Sequence, residues 1–146
     1  MTTVATDLVA GAMVVVVVGL AIWAYLRKRS GDVLEQRLAK RRAGSRAACR
    51  ASFLEGPNRI AVVLSLSDDQ VVYENADLDA YLEIANLDEI EYDDETQTGR
   101  SVSGRVLRIR AHGHAFEFEL DRVAARQFES LLPARRFEVA GHKQAV

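Results

Sequence analysis

The sequence predicts an α+β chain: one transmembrane helix, then about seven short antiparallel strands closed by an amphipathic helix into a partly open barrel or sandwich. Three observations predict it. Leu8 to Leu26 carries no charged side chain. From Ala47 onward apolar residues recur with period two, the period of a strand with one buried face. After Asp121 the period becomes helical and ends at Pro133.

The apolar run, LVAGAMVVVVVGLAIWAYL, is 19 residues long. As a helix it would extend about 28 Å, against a hydrocarbon core of about 30 Å. Trp23 and Tyr25 stand at its C-terminal end, where amphipathic rings anchor at the headgroup level. No Lys or Arg precedes the run, whereas Arg27-Lys28-Arg29 follows it. The positive-inside rule then puts residues 1–7 outside the cell and everything after the span in the cytoplasm, as a single-pass protein of the cell (inner) membrane. A cleaved signal peptide is disfavoured: the leading segment is acidic, and the stretch after the run is bulky and basic instead of small-x-small. Gly11 and Gly19 are followed four residues on by Val15 and Trp23, so no close-approach motif for a second helix is present.

Residues 27–46 read as a basic juxtamembrane linker. Asp32 and Glu35 form a capping-box-like pair, Leu34 and Leu38 share a face, and Gly44 is a stop. Residues 27–50 carry nine Lys/Arg against two acids, a net +7, and residues 51–146 carry ten against eighteen, a net −8. Arg27, Lys28, Arg29, Arg37, Lys40, Arg41 and Arg42 are the expected membrane-surface residues, each drawn to anionic lipid headgroups by about 1 kcal/mol. The opposite charge of the following domain offers this linker a second place to lie. Nucleic acid is not an expected partner: no aromatics interleave the basic run, and an acidic domain repels phosphates.

In the segment 47–133 each strand is bounded by turn residues. Cys49, Ala51 and Phe53 alternate up to the turn Glu55-Gly56-Pro57-Asn58. Ile60, Val62, Leu64 and Leu66 follow, up to Ser67–Gln70. Val71–Glu74, Tyr81–Ile84 and Glu89–Tyr92 are shorter, and Asp93–Gly104 reads as a loop. Leu107, Ile109 and Ala111 then face Phe116, Phe118 and Leu120 across a two-residue turn at His112-Gly113. That register sets Ile109 opposite Phe116 and Arg108 opposite Glu117. Asp121 caps a helix whose stripe is Ala124, Phe128, Leu131 and Leu132. Residues 134–146 are expected as a flexible tail, with Phe137 and Val139 able to pack back.

The meander from CRASF through YLEI, the LDEIEY strand, the VLRIRAHGHAFEFELD hairpin and the closing RVAARQFESLL helix together resemble the PH-like domains of bacterial membrane proteins, over residues 47–133. The resemblance implies a partly open barrel capped by its C-terminal helix and no diagnostic catalytic residue. Headgroup pockets in that family use Lys/Arg on a loop rim. The early loop Glu55–Arg59 offers one Arg, so the linker is the part expected to meet lipid. SH3-like and OB-like barrels account less naturally for the terminal helix.

No catalytic, cofactor or metal site is expected. His112 and His114 share a strand face but straddle a turn and lack a third ligand fixed by spacing. Asp88–Glu95 is acidic without the spacing or central Gly of a calcium loop. Ser101 and Ser103 lack a nucleophile frame, and the lone Cys49 alternates with core residues and has no disulfide partner. The expected function is a membrane-anchored, non-enzymatic cytoplasmic module that docks an unknown protein partner. The alternatives are an accessory subunit of a membrane complex acting through its span, and a hydrolase or metal-dependent enzyme.

Overall fold

The computed structural model describes the backbone of residues 2–136 and the side chains of residues 16–136. A helix, α1 (Thr2–Gly44), leads into strands β1 (Ala47–Glu55), β2 (Asn58–Leu66), β3 (Gln70–Glu74) and β4 (Asp79–Glu83). A 3-10 turn at Ile84–Asn86 joins β4 to β5 (Leu87–Glu95), followed by β6 (Ser101–Ala111), β7 (His114–Leu120), α2 (Arg122–Leu131) and a short β8 (Arg135–Arg136). The strands form one eight-stranded antiparallel sheet in the order β4-β3-β2-β1-β7-β6-β5-β8, curled into a half-barrel roughly PH-like in shape.

Alternation decides the two faces. Cys49, Ala51, Val62, Leu64, Val71, Tyr73, Ile109 and Phe118 point into the concave side and share one core with Ala124, Ala125, Phe128 and Leu132 from α2. The helix starts where its cap is best: Asp121 accepts hydrogen bonds from the backbone N–H groups of Val123 and Ala124 at 2.9 and 2.8 Å. The β6–β7 hairpin has the expected register, Ile109 opposite Phe116 and Arg108 opposite Glu117. His112 (φ 52°) and Gly113 (φ 77°) supply the two positive angles that a turn matched to strand twist requires.

The transmembrane reading is corrected. Among the described residues no helix is long and apolar enough to cross a membrane. The described apolar stretch, Val16–Leu26, would extend only about 16 Å as helix. A membrane-length window starting at Val16 takes in Arg27, Lys28, Arg29 and Asp32. Residues 8–15 of the expected span lie outside the described side chains. The transmembrane helix, the single-pass topology and the inner-membrane localisation therefore lack support. The structure instead has one continuous helix of 43 residues, about 65 Å long, running from the apolar stretch through the basic segment. Asp32 begins no new helix, while Gly44 does end this one.

Other boundaries shift for reasons of pairing. The expected loop Asp93–Gly104 shrinks to five residues because β5 runs on to Glu95 and β6 starts at Ser101, with a register shift between Asp93 and Glu95. Arg108 explains the extension. Its guanidinium lies 2.9 Å from Glu117, 3.0 Å from Glu91 and 3.8 Å from Asp93, so charges that look solvated in sequence form a ladder across β7, β6 and β5. The eighth strand falls in the expected tail, where Arg135 and Arg136 pair with Ile90 and Glu89. Residues 137–146, with Phe137, Val139 and His142, lie outside the described residues.

Candidate docking surface

The expected membrane-surface residues divide into two groups. Trp23 and Tyr25 are 58% and 64% exposed on α1, with the Arg27 guanidinium 5.2 Å from the Trp23 ring centre. Lys28, Arg29, Lys40 and Arg42 are exposed too. Arg37 and Arg41 turn inward instead. Leu34 and Leu38 of α1 pack on Ala48 and Val63, which have the opposite parity to the core residues, so α1 lies on the convex face of the sheet. There Glu74 on β3, 4% exposed, accepts hydrogen bonds from Arg41 Nε and Nη2 at 2.9 Å each and from Arg37 Nη1 at 3.2 Å. The bonds from Arg41 hold the Glu74 carboxyl below its usual range, against the opposing effect of desolvation. Arg50 pairs with Glu35, and Arg46 lies 3.7 Å from Asp68. In this structure part of the basic segment, through Arg37, Arg41 and Arg46, lies on acids of the domain.

Strand β4 ends the sheet on one side and, among the described residues, has β3 as its only strand neighbour. Its burial alternates: Ala80 and Leu82 face the core, while Asp79, Tyr81 and Glu83 are exposed on the convex side. Both ends are pinned. At the start, Asn75 Oδ1 accepts from the N–H groups of Asp77 and Leu78 at 2.8 Å, and Asn75 Nδ2 donates to Ala61 O. At the end, Ile84 N donates to Asp69 O at 2.8 Å, Asn86 Nδ2 to Glu83 at 2.6 Å, and Arg135 Nη2 to Ile84 O at 3.2 Å. Tyr81 is 58% exposed at the strand's centre. Asp79 and Glu83 form no ion pair among the described residues.

The opposite end of the sheet differs. Strand β8 covers β5 at Glu89 and Ile90, and the outward acids there are already matched: Glu89 with Arg110 and Arg136, Glu91 with Arg108 and Arg136. Arg136 and Arg108 hold Glu91 below its usual carboxyl range. Sequence reasoning found β4 only as a generic strand. Its edge position depends on strand order, and the one local hint was Tyr81 standing between two acids on the polar parity.

The remaining candidates do not converge. His112 and His114 are exposed at the hairpin turn, and no group of three or more His, Cys, Asp or Glu among the described residues is placed to hold a metal. Ser101 and Ser103 lie in β6, not in a loop. Cys49 is buried, and burial pushes its thiol up to about 12. No family model, curated protein or solved structure matches the chain.

Proposed function

We propose that this half-barrel is a non-enzymatic, PH-like protein-docking module that adds an extended basic segment of a partner to the free edge of β4. The observation that carries the reading is a pinned edge strand with a 58%-exposed aromatic at its centre and, at each end, an acid that forms no ion pair among the described residues. Strand addition satisfies the open backbone groups of such an edge, and alternate side chains supply specificity. Cross-strand pairs contribute about 0.2–1 kcal/mol each, so a segment with Lys or Arg opposite Asp79 and Glu83 and a β-branched or aromatic residue opposite Tyr81 is favoured. Pinning both ends lowers the ordering cost of binding. A second copy is a poor occupant, because antiparallel self-pairing about Tyr81 sets Asp79 against Glu83.

A labelled seven-residue peptide with Lys at the two acid-facing positions and Ile between them tests the reading by fluorescence anisotropy. The expected dissociation constant is about 10–100 μM, weakening at least tenfold in an Asp79→Lys/Glu83→Lys double variant. Unchanged binding to the double variant, or equal binding of a peptide with Glu in place of Lys, sinks it.

A further inference from the structure

A cleft of about 380 Å³ opens at the end of the half-barrel away from β4, where the β1–β2 hairpin and β7 part company. Strand β1 pairs with β7 only through Ser52–Leu54 and Glu117–Glu119, although β7 begins at His114. The three residues His114 to Phe116 thus have β6 on one side and the cleft on the other. The β6–β7 hairpin is closed by Ala111 opposite His114. In a two-residue hairpin that pair exchanges both hydrogen bonds and the bonded pairs then alternate, so the N–H and C=O of Ala115 point away from β6, into the cleft.

The floor is aromatic. Phe53 and Phe116 are half-buried there and continue inward as a cluster, with ring centres 5.4 Å apart for Phe53 and Phe118, 5.3 Å for Phe53 and Tyr73, and 6.3 Å for Tyr73 and Phe116. The rim carries charge of both signs. Arg59 is engaged with Glu119 at 2.8 Å, and Glu117 with Arg108 at 2.9 Å. Arg100 and Glu55 line the same cleft and form no ion pair among the described residues. The segment bearing Arg100 is held in place: Thr96 N donates to Arg100 O at 2.9 Å, Arg100 N to Thr96 Oγ1 at 3.0 Å, and Gln97 N to Glu117 Oε1 at 2.8 Å.

An apolar floor with a few convergent polar groups, at the lower end of the usual size range, is the make-up of a small-molecule site. We infer that the cleft binds an α-amino acid with an aromatic side chain. The ring stacks on Phe53 and Phe116, the carboxylate meets Arg100, and the ammonium meets Glu55 and the Ala115 carbonyl. The two charged groups of the rim without an ion pair, Arg100 and Glu55, are thereby matched. A simple anion would leave Glu55 opposed, and a simple cation would leave Arg100 opposed.

The experiment titrates L-phenylalanine, phenylalaninamide, N-acetyl-phenylalanine and L-leucine into the full chain by calorimetry, and follows the backbone signals of Ala115 and Arg100 by NMR. Saturable phenylalanine binding at or below about 1 mM is expected, with the other three probes at least tenfold weaker. Arg100→Ala, in the β5–β6 turn, and Glu55→Gln, at the exposed end of β1, each reduce affinity about tenfold, whereas Arg100→Lys retains part of it. Absence of saturation up to about 10 mM overturns the assignment. So does binding indifferent to either substitution, or N-acetyl-phenylalanine binding as well as phenylalanine.

Discussion

A Cβ built at Gly104 would lie 1.8 Å from the carbonyl oxygen of Leu120 and 2.9 Å from its carbon, both backbone atoms that cannot swing away. Gly104→Ala is therefore expected to cost about 3 kcal/mol or more, read as a lowered urea midpoint, since the β6–β7 pairing must shift to admit one methyl group. Ser65 makes the opposite case. Its hydroxyl is fully buried, with no hydrogen-bond partner among the described residues. Ser65→Ala removes an unsatisfied polar group, so stability should rise by about 1 kcal/mol, and a fall of that size would contradict it. Cys49 stays protonated in the fold because burial opposes its thiolate. The unfolded thiol ionises near pH 9, so stability should be level below that pH and decline as pH rises from about 9 towards 12. Alkylation should track global unfolding; fast labelling of the folded chain would show the site to be open.

Among the elements, the seating of α1 depends on a small contact. Leu34 and Leu38 bury against Ala48 and Val63, and the Arg37–Glu74–Arg41 cluster fixes the helix beside them. Glu74 ionises more readily in the fold than in the unfolded chain. Its contribution is thus fully present above the usual carboxylate range and is lost as pH falls through the depressed folded value. Glu74→Gln should cost about 2 kcal/mol at neutral pH and flatten the acid limb of the stability profile, with amide exchange in residues 34–42 speeding up first. Unaltered exchange there would mean that the leucines alone hold the helix. Arg37 and Arg41, expected at a membrane surface, here donate charge-assisted hydrogen bonds to one buried carboxylate.

For the whole molecule, charge segregation is resolved internally on one flank and left open on another. From the +7 segment, Arg37, Arg41 and Arg46 reach acids of the half-barrel, and the outward faces of β5, β6 and β7 neutralise one another through Arg108, Arg110 and Arg136. On β4, Asp79 adds to the field that raises Arg41, and Glu83 accepts from Asn86, but neither forms an ion pair among the described residues. Basic-peptide binding should accordingly weaken about tenfold between low and near-physiological salt, mainly through slower association, while the stability of the fold changes little. Salt-independent affinity measured by stopped-flow would remove charge from the docking reading.

Much of the architecture was legible in sequence because it rests on local pattern. The register of Ile109 with Phe116, the His112-Gly113 turn, the Asp121 cap and the Phe128 stripe are all fixed by neighbours within about a dozen residues. Periods of two and 3.6 sort most core-facing residues from polar ones, and the exceptions include Val63, Val72 and Val106, apolar residues buried on the opposite parity. Tertiary structure decided what the charges do. Whether Arg37 meets lipid or Glu74, whether Arg108 is solvated or caged, and whether Tyr81 lies on an edge or under a neighbour depends on residues 9 to 37 positions away and on strand order. Long-range ion pairs leave no periodic trace, because a Lys or Arg obeys the same polar parity whether its partner is a carboxylate or water.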